Sequence, residues 1–166
     1  MQIRLAKQQD AKGILSIYNI EVLTSAATFD LVPRSIEEQM AWLSEHSGAY
    51  PALVAEEDSE IIGFASLSPY RPRPAYATST ENSIYVHRDH RKKGVGKLLM
   101  QEIIRLAKVY GFHTIIARIN DTQEASIALH TALGFSQVGV EKEIGRKFGK
   151  WHDVMTMQLL LVSDPQ

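Results

Sequence analysis

Residues 86–100 read VHRDHRKKGVGKLLM, and the rest of the chain is best understood outward from them. Arg91, Lys92 and Lys93 stand directly before Gly94-Val95-Gly96, and Val95, Leu98, Leu99, Ile103 and Leu106 continue at helical spacing. A helix start carries unpaired N–H groups and a partial positive charge, and glycine lets backbone approach an anion closely. The spacing therefore predicts a turn and then a helix, with a negatively charged group held between them. The bland alternative is a Gly-rich turn with a solvated basic face.

Two common phosphate loops fail on single residues. A Walker A loop would need glycine where Arg91 stands and Ser or Thr where Leu98 stands. A dinucleotide fingerprint needs a third glycine at Leu99. A third pattern fits: Arg91, Gly94 and Gly96 resemble the R-x-x-G-x-G pyrophosphate loop of coenzyme A acyltransferases.

Composition bounds the class. At 166 residues, 45% hydrophobic and 22% charged, the chain reads as one ordinary globular domain over 1–166. A net charge of −1 gives no basic excess for nucleic acid or an anionic membrane surface. Without cysteine there is no disulfide, thiolate metal site or cysteine nucleophile. The first residues, MQIRLAKQQDAKGIL, scatter charge where a signal peptide would be apolar, and no apolar run reaches the ~18 residues of a membrane span. A cytoplasmic protein is the expectation.

Along the chain, QIRLA reads as a strand. Asp10 is the expected cap of a helix with Ala11, Ile14, Leu15, Tyr18 and Val22 on one face. Ser35 and Glu38 form a capping box for a second helix that buries Ile36, Met40 and Leu43. ALVAEE and EIIGFASLS make a hairpin about Asp58-Ser59, and a strand follows from about Ala77 to Val86. After the glycine helix, HTIIARI is a strand, and a helix follows from a second capping box at Asp121 and Glu124. Gly134 ends that helix, and two strands close the chain. The order β-α-α-β-β-β-α-β-α-β-β makes an α/β (α+β) fold, a mixed sheet with helices on its faces.

The stretch ENSIYV, the glycine loop, and Asn120 ahead of Ser126, Leu129, His130, Gly134 and Phe135 resemble the GNAT superfamily of N-acetyltransferases. TSAATFD, RPAY, LHTALGF and GRKFGKWHDV are similar to its phosphinothricin and methionine sulfone/sulfoximine acetyltransferase branch. The resemblance covers nearly the whole chain. It implies a mostly antiparallel sheet, splayed where acetyl-CoA binds, and a homodimer.

Amine acetylation needs a base, because an ammonium with a pKa near that of lysine, ~10, is mostly protonated at neutral pH. Glu81 interrupts the otherwise neutral strand ATSTENSIYV, and burial there would raise its pKa toward the useful range. An exposed edge position or a cap partner is the alternative. The resemblance also makes Glu81 the base. Backbone N–H groups near Ile84, Tyr85 and Val86 are expected to meet the oxyanion and the pantetheine amides. Arg91, Lys93 and the backbone of Gly94, Val95, Gly96 and Lys97 are expected to take the pyrophosphate. Asn120 and Ser126 match pantetheine contacts or are simple helix caps. His130 stands where many relatives carry a tyrosine general acid; it is a proton donor, a CoA contact or a packed histidine.

For the acceptor, Arg71, Arg73 and Tyr76 precede the base, and arginine suits a carboxylate or phosphinate. Their alternative is a solvated loop. Phe29 matches the branch's apolar lid, and Arg146, Lys147 and Lys150 add positive charge. His87 and His90 lack a carboxylate cluster, so no metal is expected. The expected activity is acetylation of a small L-amino acid; a peptide N-acetyltransferase and a non-catalytic CoA sensor are the alternatives.

Overall fold

The computed structural model describes residues 1–161. Its strands are β1 (Gln2–Leu5), β2 (Ala52–Glu57), β3 (Glu60–Pro69), β4 (Ser79–Val86), β5 (Thr114–Asn120), β6 (Ser136–Lys147) and β7 (Lys150–Leu160). Its helices are α1 (Ala11–Thr24), α2 (Ile36–Glu45), α3 (Val95–Val109) and α4 (Glu124–Ala132). The element order is the one expected. All seven strands form one sheet in the order β1-β2-β3-β4-β5-β7-β6. Only β4 and β5 run parallel; every other neighbouring pair is antiparallel.

Each face of the sheet buries an apolar layer. Leu99, Met100 and Ile103 of α3 pack with Leu53, Leu67 and Ile115 from the strands. On the other face Ile14, Tyr18 and Val22 of α1 and Leu43 of α2 close over Val54 and Phe64. Fully burying such side chains contributes about 1.5–3 kcal/mol each, which fixes the three helices against the sheet. The Ser35 capping box forms, with Glu38 N–H donating to Ser35 Oγ and Ser35 N–H to the Glu38 carboxylate. Asp58 and Ser59, with φ of 50° and 67°, make the tight hairpin turn between β2 and β3.

Several local expectations are corrected. Asp10 does not cap α1 through its side chain; its carboxylate accepts from the Arg4 guanidinium and the Lys7 N–H, closing the 3-10 turn before the helix. The Asp121–Glu124 box does not form, because Asn120 Oδ1 takes the Thr122 N–H at 3.0 Å and α4 starts after Gln123. Leu98 and Met40 are exposed, at 42% and 45%. The sheet-facing stripes of their helices fall instead on Met100, Ala107, Gln39 and Leu43. β4 starts at Ser79, since a 3-10 turn over Pro74–Tyr76 takes up the preceding residues.

Candidate active site

The parallel pairing of β4 with β5 is short: Ser79 with Thr114, Thr80 with Ile115, Glu81 with Ile116. Beyond Glu81, β4 keeps only β3 as partner as far as Val86, and β5 keeps only β7 as far as Asn120. The strands part like a fork, and the inner edge of β4 is left with backbone groups that the sheet does not pair. A cavity of about 250 Å³ fills the fork, walled by residues 81–85 of β4, residues 117–120 of β5 and the stretch 26–29 after α1. The expected splay of the sheet is present.

Glu81 lies at the crotch, half-buried. Burial pushes its carboxyl above the usual range, and the positive charge of Arg118 pulls part of the way back. Among the described residues its carboxylate has no hydrogen-bond partner. Parallel register puts Glu81 beside Ile116, so the alternation of side chains sends Glu81 and Arg118 from the same face of the sheet. Tyr85 shares that face, its ring edge-on to Tyr18 at 5.2 Å, and burial holds its hydroxyl well above the ordinary value.

The opposite face of β4 meets the glycine helix. A Cβ on Gly96 would stand 3.2 Å from Leu129 Cδ2 and 3.7 Å from both Ile84 Cδ1 and Val86 Cγ2. Glycine thus lets the start of α3 press close to β4 and α4. Gly94 has φ +85°, a left-handed turn with open space about it, so the first N–H groups of α3 are presented outward. Lys93 and Lys97 are exposed beside them. Arg91 is partly engaged within the chain, its Nη2 donating to Glu21 Oε1 at 2.8 Å and its Nε to the Val86 carbonyl at 3.2 Å, while its side chain stays 48% exposed.

For His130 three roles stood open: proton donor, CoA contact or packed histidine. It is 1% exposed. Its Nδ1–H donates to the Ser126 carbonyl at 2.8 Å, so Nε2 is the acceptor for Asn82 Nδ2 at 3.0 Å. Burial lowers its pKa and both ring nitrogens are engaged, as in a packed histidine, while the residue also lines the cavity. Asn82, which the sequence did not single out, lines the cavity with a buried Oδ1 that has no partner among the described residues. An incoming N–H would satisfy it. Asn120 Oδ1 accepts from the Thr122 N–H in the turn before α4, and both Asn120 and Ser126 line the cavity.

Of the acceptor residues expected, Phe29 lines the cavity. Arg71, Arg73 and Tyr76 do not; Tyr70 and Tyr76 pack edge-on, and the Arg71 guanidinium lies over both rings. Arg118 is the cation in the cavity wall, and it bridges to Glu141 of β6. In sequence Arg118 looked like one polar residue of a strand; only the fork places it opposite Glu81. Lys147 is not an exposed charge for the acceptor: it is 3% exposed, and its Nζ donates to the Thr28 carbonyl at 2.7 Å. Among the described residues no group of three or more His, Asp or Glu is placed to hold a metal, and no helix is long and apolar enough to cross a membrane.

A forked sheet, an open strand edge and a glycine-started helix define an acyl-transfer scaffold, and comparison with known proteins agrees. Residues 3–156 match the acetyltransferase (GNAT) domain family, and the chain belongs to the N-acetyltransferases of that family. It is 39% identical to a phosphinothricin N-acetyltransferase of Streptomyces coelicolor, over 93% of this chain and 92% of that one. It is 38% identical to an L-methionine sulfoximine/L-methionine sulfone acetyltransferase of Pseudomonas aeruginosa, over 96% and 94% of the two chains. The solved structure of a phosphinothricin acetyltransferase from Sinorhizobium meliloti in complex with AcCoA superimposes with a TM-score of 0.92 at 38% identity. That match covers 96% of this chain and 87% of the other.

Proposed function

We propose that this protein moves the acetyl group of acetyl-CoA onto the α-amine of a small L-amino acid of the phosphinothricin, methionine sulfoximine or methionine sulfone kind, with Glu81 as general base. One observation carries the reading: the carboxyl at the crotch of the fork is half-buried, unpartnered and shifted upward. A carboxylate with raised pKa accepts a proton from an ammonium more effectively than an ordinary one.

Acetyl-CoA supplies the activated acyl group; everything else falls to the chain. The start of α3 with Lys93 and Lys97 suits a pyrophosphate. The unpaired edge of β4 suits an amide-bearing arm laid beside it like an added strand, and Asn82 Oδ1 offers an acceptor to an N–H there. N–H groups on that edge lie where negative charge develops on the carbonyl oxygen. Glu81 takes the ammonium proton. A thiol leaving group with a pKa near that of cysteine, ~8.5, departs without an acid, so the engaged state of His130 is no obstacle.

Relatives named for phosphinothricin and for methionine sulfoximine and sulfone favour a small acceptor over a peptide, and a carboxylate at the fork is unnecessary in a mere sensor. We place a second copy of the chain at β6, whose Val138, Val140 and Ile144 are exposed on an edge strand. The reading is tested by following thiol release from acetyl-CoA over a panel of free amino acids and short peptides. Turnover of phosphinothricin and methionine sulfone above the peptides is expected. Turnover confined to peptides would contradict it.

A further inference from the structure

The geometry points to Gly145 as a specificity-determining residue: by lacking a side chain it seats Phe29, and through Phe29 it sets the width of the acceptor cavity. The inference rests on the reading that the acceptor occupies this cavity.

Phe29 belongs to the stretch 26–29, which is neither helix nor strand, and which forms one wall of the cavity. The edge of its ring lies on Gly145. A Cβ added there would stand 2.2 Å from Phe29 Cε2, 2.6 Å from Cζ and 2.7 Å from Cδ2. Real side chains do not approach so closely, so any other residue must move the ring. Gly145 does not have the left-handed backbone of Gly134 or Gly149, so what this position demands is room and not an unusual φ.

The surroundings hold the ring on the β6 and α1 sides and leave it open toward the cavity and toward solvent, with Phe29 39% exposed. β6 slips register against β7 between Glu141 and Gly145, which sets Gly145 opposite His152. His152 Nε2–H donates to the Lys147 carbonyl at 3.2 Å, and its ring centre is 6.1 Å from that of Phe29. Lys147, buried, reaches across to the Thr28 carbonyl at 2.7 Å. On the far side Thr28 Oγ1 meets the Tyr18 hydroxyl at 2.9 Å. The backbone of the wall is therefore pinned by β6 and by α1, while the Phe29 ring rests between Gly145 and open cavity. A side chain at 145 pushes the ring off β6, and where it swings over the cavity it already lines, long acceptors lose their space before short ones.

The test compares L-methionine sulfone with the shorter L-alanine as acceptors, in four proteins: wild type, Gly145→Ala, Phe29→Ala and the double variant. Gly145→Ala is expected to lower kcat/KM for methionine sulfone at least 10-fold and for alanine no more than 2-fold. The KM for acetyl-CoA should not change. In the Phe29→Ala background the same substitution should cost less than 2-fold with either acceptor, because the ring it displaces is gone. Equal losses on both acceptors, or an undiminished loss without Phe29, would overturn the inference. A crystal structure of Gly145→Ala decides it independently of turnover: the ring displaced toward the cavity supports it, and a ring left in place overturns it. Wild type acetylating neither amino acid would overturn the amino-acid reading alone, and the ring position would still decide the role of Gly145.

Discussion

Two glutamates, Glu21 of α1 and Glu81 of β4, both feel desolvation and yet are shifted in opposite directions. Glu21 of α1 is 3% exposed, yet its carboxyl is held below the usual range. Burial opposes ionisation there, but Ser25, Arg88 and Arg91 together outweigh it. Glu81 is less deeply buried and is shifted the other way, because only the distant charge of Arg118 offsets its desolvation. Burial alone does not decide a carboxylate's character; the donors around it do. Glu21 is a fixed anion that ties the loop before α3 to helix α1. Glu81 has no such donors, and that difference is why we propose it as the group that exchanges a proton.

The comparison can be broken in several ways. Glu81→Gln keeps the shape and removes the proton acceptor, so turnover should fall ~100-fold or more while acetyl-CoA affinity, read by calorimetry, stays the same. Glu21→Gln should instead spare the chemical step. It leaves Arg88 and Arg91 without their anion, and both are partly exposed and can recover water, so a cost of about 1–2 kcal/mol in stability is expected. Thermal unfolding should show it as a fall of about 4 °C, accompanied by a several-fold rise in KM for acetyl-CoA.

Smaller effects sharpen the same contrast. Removing the charge in Arg118→Met takes away the one influence lowering the Glu81 pKa, so the acidic limb of the pH–rate profile should move upward. A shift of less than about one unit is expected for a pair of this exposure. The limb moving down would show that Arg118 acts in some other way. Finally, a carboxyl with a raised folded pKa favours the fold while protonated and loses that contribution as pH rises through its folded pKa. Glu81→Gln should therefore melt higher than wild type near pH 7, by about 2 °C, with the gap closing toward pH 4. A gap that persists at pH 4 would remove ionisation as its cause.

Much of this was legible in the sequence, and the exceptions share a cause. Periodicity and turn chemistry act locally, so the element order, the Ser35 cap, the Asp58-Ser59 turn and Gly134 at the end of α4 could be read directly. Glu81 could be read because a carboxylate is out of place in a neutral strand. Partnership across the fold could not. Arg91 sits in the right motif, but Glu21, seventy residues earlier in the chain, claims its guanidinium. His130 matches a motif position, yet its ring nitrogens face the Ser126 carbonyl and Asn82. Arg118 became part of the cavity only when β5 parted from β4, and Lys147 looked like a surface cation until its ammonium met Thr28. Charge and motif show what a side chain offers; packing decides which neighbour takes it.

The central claim is that Glu81 is the ionising group on which turnover depends, and the pH dependence of kcat/KM in wild type and Glu81→Gln tests it most directly. In wild type the rate should fall on the acid side with a midpoint above the ~4.3 of an ordinary glutamate. In Glu81→Gln that limb should vanish and leave a low, flat rate. The same limb persisting in the variant would mean that another group takes the proton, and would contradict the account.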